Sequence, residues 1–98
     1  MAVFIYILYS ASEDSFYIGQ SENPWRRLKE HRRHRNNTYT SKASDWIMKA
    51  IFAIVGSRKT ACHIEQFIKR QKSRRFLLKI MEKDWVAKGE LKVMKRVY

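Results

Sequence analysis

Phe16-Tyr17-Ile18-Gly19-Gln20-Ser21-Glu22-Asn23-Pro24-Trp25-Arg26-Arg27-Leu28-Lys29-Glu30-His31 changes its pattern halfway along. The first part, 16–21, is aromatic and apolar with a Gly inside, and reads as a short strand. Asn23-Pro24 then opens a helix. Asn can accept from the orphan N–H groups of a first turn, and Pro is tolerated at the first helical position. Behind it, Trp25 and Leu28 supply a narrow apolar stripe in a helix expected to run to about Arg35. Asn36-Asn37-Thr38 closes that helix with turn chemistry. Tyr17, Arg27 and His31 therefore sit on the framework of a strand–turn–helix unit, with Arg27 and His31, four apart, on one helix face.

Upstream, residues 3–9 form a nearly continuous apolar run rich in β-branched and aromatic residues, as suits a central strand buried on both faces. The polar cluster at 10–15 turns the chain, so the two strands make an antiparallel hairpin. Downstream of a polar loop at 39–45, residues 46–55 read as a third strand that stops at Gly56, although a helix is also open there. Ser57 can cap a helix over 58–72 with Ala61, Ile64 and Ile68 on its buried stripe. Ser73 can cap another over 74–85, with Phe76, Leu77, Ile80, Met81 and Trp85 facing inward. The order β-β-α-β-α-α predicts an α+β fold: a small three-stranded antiparallel sheet flanked by helices. One domain covers 1–87, and 88–98 is a tail, either a short strand or mobile.

Lys and Arg number 21 against 9 acids among 98 residues, a formal net charge of +12. Such an excess repels itself in the folded state and points to a polyanionic partner, nucleic acid ahead of a membrane surface. Cys62 is the only cysteine, so no internal disulfide and no thiolate zinc site can form. The apolar N-terminus is short and lacks a basic flank, unlike a signal peptide or a membrane span. A cytoplasmic location is the expectation.

Several side chains could carry chemistry, each with a plainer alternative. Tyr6 and Tyr17 lie on hairpin-paired strands; they can face a phosphate or simply fill a wet strand edge. Arg27 and His31 can present a guanidinium and an imidazole to one phosphate, or belong to a solvated basic face. Six of the ten residues at 26–35 are Lys or Arg. Glu65 is the only acid between Arg58 and Lys79, at the border of an apolar stripe. It needs a cation, which can be a metal held together with waters and substrate phosphate, or a neighbour such as Arg26, Arg27 or Lys69.

With these residues in place the chain resembles the GIY-YIG endonuclease superfamily. Phe4-Ile5-Tyr6-Ile7-Leu8-Tyr9 is followed about ten residues later by Tyr17-Ile18-Gly19; Arg27 comes eight residues after that Gly and His31 twelve. The loop Tyr39-Thr40-Ser41-Lys42 and the acid of Thr60-Ala61-Cys62-His63-Ile64-Glu65 look like small stand-alone bacterial members, similar to the N-terminal nuclease domain of the excision-repair endonuclease. The first-motif Gly is Phe4 here, and Met81-Glu82-Lys83-Asp84-Trp85 offers no counterpart to the Asn some members carry.

The resemblance implies metal-dependent phosphodiester hydrolysis, with Mg²⁺ or Mn²⁺ as cofactor. By it, Tyr6, Tyr17, Arg27, His31 and Glu65 are catalytic: Arg27 binds phosphate, a Tyr with His31 activates or orients water, and Glu65 holds the metal. The expected partner is nucleic acid, DNA rather than RNA, gripped by Arg26, Lys29, Arg32, Arg33, Arg35, Lys42, Lys69, Arg70, Lys72, Arg74 and Arg75. A protein partner or a dimer can supply targeting. The alternatives are a non-catalytic nucleic-acid-binding module of the same fold, or a subunit docking through Trp25, Trp46 or Trp85.

Overall fold

The computed structural model describes residues 2–33 and 42–98. The hairpin forms as expected, with β1 (Phe4–Ser10) antiparallel to β2 (Ser15–Ser21). Helix α1 (Pro24–Arg32) follows, then β3 (Ile47–Ile54), α2 (Arg58–Arg70) and α3 (Arg74–Ile80). A 3₁₀ turn (Gly89–Val93) leads into β4 (Met94–Arg96). All three expected caps are made: Asn23 accepts from the Arg26 N–H, Ser57 from that of Thr60 and Ser73 from that of Phe76.

The sheet has four strands in the order β2-β1-β3-β4, one more than the expected three. The addition comes from the tail, where Phe52, Ala53 and Ile54 pair with Arg96, Lys95 and Met94. A strand of three residues carries too little alternation to be seen in sequence. Leu91 and Met94 are buried, so the 88–98 segment completes the core. All three helices are shorter than their patterns suggested, α2 ending at Arg70 rather than 72. α1 ends at Arg32, with Arg33 as its cap, and Arg35 lies outside the described residues. α3 stops at Ile80, so Met81 and Trp85 pack on the core from the chain beyond it.

β1 is central, and its alternating side chains feed two layers. Ile5 and Ile7 meet Ile18, Phe52, Ile64, Ile68, Leu77 and Ile80 beneath α2 and α3. Tyr6 and Leu8 meet Leu28, Trp46, Met48 and Ile51 on the opposite, α1 side. An apolar run with no polar face is what a strand covered on both sides requires. β2 is an edge strand, approached by α1 on one face and α2 on the other. That arrangement sets one helix on each face of an open sheet edge. Among the described residues, no helix is long and apolar enough to cross a membrane.

Candidate active site

Strand register decides where the two tyrosines stand. Tyr6 pairs with Gly19 and Leu8 pairs with Tyr17, so Tyr6 and Tyr17 are diagonal neighbours on the α1 face. Their ring centroids are 6.2 Å apart. Gly19 is indispensable to this packing: a Cβ there would stand 2.6 Å from the Tyr6 hydroxyl and 3.0 Å from the Tyr17 ring. The missing side chain lets the Tyr6 ring lie across the strand.

α1 closes over the pair. Its His31 is fully buried and its Nε2 lies 2.9 Å from the Tyr6 hydroxyl. The same imidazole packs on Tyr17, centroid to centroid 4.7 Å. Burial, helped by the nearby Arg27 charge, pulls His31 down to about 4, so the ring is neutral near pH 7. Burial also pushes the Tyr6 hydroxyl well above the usual tyrosine range; Tyr17 and Glu65 reinforce the rise, and Arg27 opposes it. Both members of this hydrogen bond are thus uncharged.

Arg27, half-buried, forms an ion pair with Glu30, three residues along the helix. Glu30 also receives Arg26 at 3.6 Å. Its carboxyl is held below its usual range, first by the hydrogen bond from Arg27. Glu30 is a residue the sequence reading passed over, although its spacing from two arginines was a visible signal.

Glu65 projects from α2, on the other side of the β2 edge. Its side chain is partly buried and its carboxylate accepts a hydrogen bond from Lys69 Nζ at 2.7 Å, so the ion-pair alternative is realised with Lys69. Lys69 Nζ also stands over the Tyr17 ring, 5.9 Å from its centroid. Among the described residues no three His, Cys, Asp or Glu side chains converge on a common point. A lone carboxylate suits Mg²⁺ or Mn²⁺ completed by waters and substrate oxygens rather than a closed zinc cage, and Lys69 competes with such a cation for it.

The remaining basic residues divide by what they touch. Lys29, Arg33, Arg70 and Arg75 are exposed. Arg32 donates to the Trp46 carbonyl at 2.8 Å, pinning α1 to the approach to β3. Lys42 reaches Ser15 Oγ at 3.3 Å. Arg74 is engaged structurally: it binds the Asp14 carboxylate at 2.8 Å, donates to the Asp14 carbonyl and covers the Phe16 ring. Asp14 also accepts from Tyr9 at 2.6 Å, so this clasp fastens α3 to the hairpin turn. Cys62 is only partly buried and accepts from Gln20.

Two tyrosines, a histidine and an arginine thus gather where β1, β2 and α1 meet, with a carboxylate beyond the β2 edge, on an α+β unit that the family comparison marks as a nuclease-type fold. A family model for the GIY-YIG catalytic domain matches residues 2–79, and the chain belongs to that family. No curated protein and no solved structure matches the chain.

Proposed function

We propose that this protein is an endonuclease that hydrolyses phosphodiester bonds in DNA, with Tyr6, Tyr17, Arg27, His31 and Glu65 as its working residues. The observation that carries the reading is the buried Tyr6–His31 hydrogen bond, placed beside Tyr17 of the edge strand and Arg27 of α1. A packed core has no need of a polar pair there, and a solvated basic face would not bury a neutral histidine.

Because His31 is neutral, its Nε2 can accept the Tyr6 proton when Nδ1 carries the ring hydrogen. A water lying against the Tyr6 oxygen can then pass its proton to Tyr6 as Tyr6 passes its own to His31. The tyrosine never becomes a phenolate, which its buried setting disfavours. His31 gains the proton, the hydroxide attacks phosphorus, and the P–O bond to the departing sugar oxygen breaks, that oxygen taking a proton from solvent water. Arg27, aimed by Glu30, is placed to neutralise charge growing on the phosphoryl oxygens. Glu65 would hold Mg²⁺ or Mn²⁺, which supplies further charge neutralisation at the phosphate when bound. Tyr17 walls the site between His31 and Lys69 and offers its hydroxyl to substrate.

Plasmid nicking with Mg²⁺ or Mn²⁺ tests this. Glu65→Ala and Tyr17→Phe are expected to lose about 100-fold or more in rate while folding normally. Equal cleavage by wild type and both variants would mean a contaminant nuclease and a non-catalytic binder. DNA affinity is expected to fall steeply with salt, as backbone phosphate contacts release counterions.

A further inference from the structure

A groove of about 390 Å³ lies on the α2 and α3 side of β2, between Lys69 and the hairpin turn. Its floor is the apolar seam between β2 and the helices, including Phe16 and Ile68, and its rim carries Lys69, Lys72, Ser73 and Arg74. Lys69 belongs to both places, since it also touches Glu65 and stands over Tyr17. The one acid on the rim, Asp14, is already neutralised by Arg74.

Lys72 supplies the independent observation. It joins α2 to α3 with φ of 47°, in the left-handed region. Gly and Asn take this conformation readily, whereas a lysine there is strained. Asp14 has the same angle, but its short polar side chain suits it. A long cation kept where the backbone favours Gly, on the rim of a groove that shares Lys69 with the site, indicates that the side chain has work to do.

We propose that this groove carries the backbone of the cleaved strand away from the scissile phosphate, with the neighbouring phosphate held by Lys72 and Lys69. The assignment rests on the nuclease reading above and gives the substrate strand a direction: past Lys69, along β2, toward the turn at Asp14. The apolar floor under a cationic rim matches one strand of nucleic acid, whose sugars are less polar than its phosphates. The net charge of +12 supplies the matching sign.

The test compares Lys72, in the α2–α3 connection, with a lysine on the far edge strand. Lys95 lies on β4, and Lys95→Asn removes the same charge as Lys72→Asn. Binding of a fluorescently labelled DNA duplex is followed by anisotropy in EDTA at several salt concentrations. Lys72→Asn is expected to weaken binding about fivefold and to lower the salt slope by about one, with Lys95→Asn close to wild type. Lys72→Gly should weaken binding equally while melting no lower than wild type, which separates the side chain's role from stability. Equal effects of Lys72→Asn and Lys95→Asn, or no effect of either, would overturn the groove while wild-type nicking left the nuclease reading standing. A wild-type protein that neither binds nor nicks DNA would overturn both.

Discussion

Tyr6 and Gly19 face each other across the β1–β2 ladder, and the tyrosine hydroxyl occupies the space that a Gly19 side chain would fill. The ring atom Cζ would lie only 2.7 Å from that added carbon, so neither a slight tilt nor a rotation of the hydroxyl relieves the clash. Gly19→Ala is therefore expected to push Tyr6 off His31. Overpacking of this kind costs about 1–3 kcal/mol of stability. Nicking should fall about 100-fold, because a shift near 1 Å is enough to spoil a proton path. Thermal melting and nicking rate, measured together, check this. A variant that keeps full activity would show that the Tyr6 hydroxyl need not stand where it does.

His31 makes stability depend on pH in a defined window. In the unfolded chain it titrates near the usual 6.5, and in the fold burial holds it at about 4. Between those values the unfolded state binds a proton that the folded state does not, so stability falls as pH drops through the window. The contribution is fully present above about 6.5 and amounts to roughly 3 kcal/mol at most. Denaturant unfolding of wild type and His31→Gln at pH 7.5, 6, 5 and 4 (about half a window apart) reads it directly. Wild type should lose stability more steeply than the variant. Parallel curves would mean that His31 accepts a proton in the fold as easily as in solution.

Lys69 holds the carboxylate that a divalent cation would use. Lys69→Met keeps an unbranched stem beside Tyr17 and removes the competing ammonium. Partly exposed ion pairs are worth up to about 1 kcal/mol, so Mn²⁺ should bind up to about fivefold tighter. DNA should bind more weakly, because the same lysine lines the groove. Calorimetric titration with Mn²⁺ and anisotropy with labelled DNA give the two signs separately. Unchanged Mn²⁺ affinity would place the cation somewhere other than Glu65.

Much of this arrangement was legible because local signals agreed with the final fold. The two-sided apolar run of β1, the cap residues Asn23, Ser57 and Ser73, and the Ala61–Ile64–Ile68 stripe each state their role within a few residues. Tyr6, Tyr17 and His31 were named from motif spacing, but their contact depends on strand register. Register is set by the whole β1–β2 ladder rather than by any one residue. The partners of charged side chains were less visible. Arg74 reads as one more cation in a basic run, and only the fold brings it to Asp14, 60 positions away. Glu30 and Lys69 lay at readable helical spacings, yet spacing alone does not say which of several neighbours a charge will choose.

The C-terminal segment was the least legible part, and the physical reason also yields a test. β4 is stabilised by what it joins rather than by its own pattern: Met94 and Leu91 fill the layer under α2 and α3, and Val55 donates to the Val93 carbonyl at 2.9 Å. Beyond β4, the Val97 N–H reaches the Ile51 carbonyl at 2.9 Å, and Tyr98 packs edge-on against Trp25 of α1. The segment thus ties β3 to the helix that carries Arg27 and His31. Met94→Ala and Leu91→Ala should each cost about 2–4 kcal/mol, as buried large-to-small changes do. A chain ending at Lys88 should lose both contributions and the β3–β4 pairing together, a large share of the stability of a domain this size. Urea unfolding of the three variants measures the losses, and a mobile tail would instead leave all three midpoints at the wild-type value.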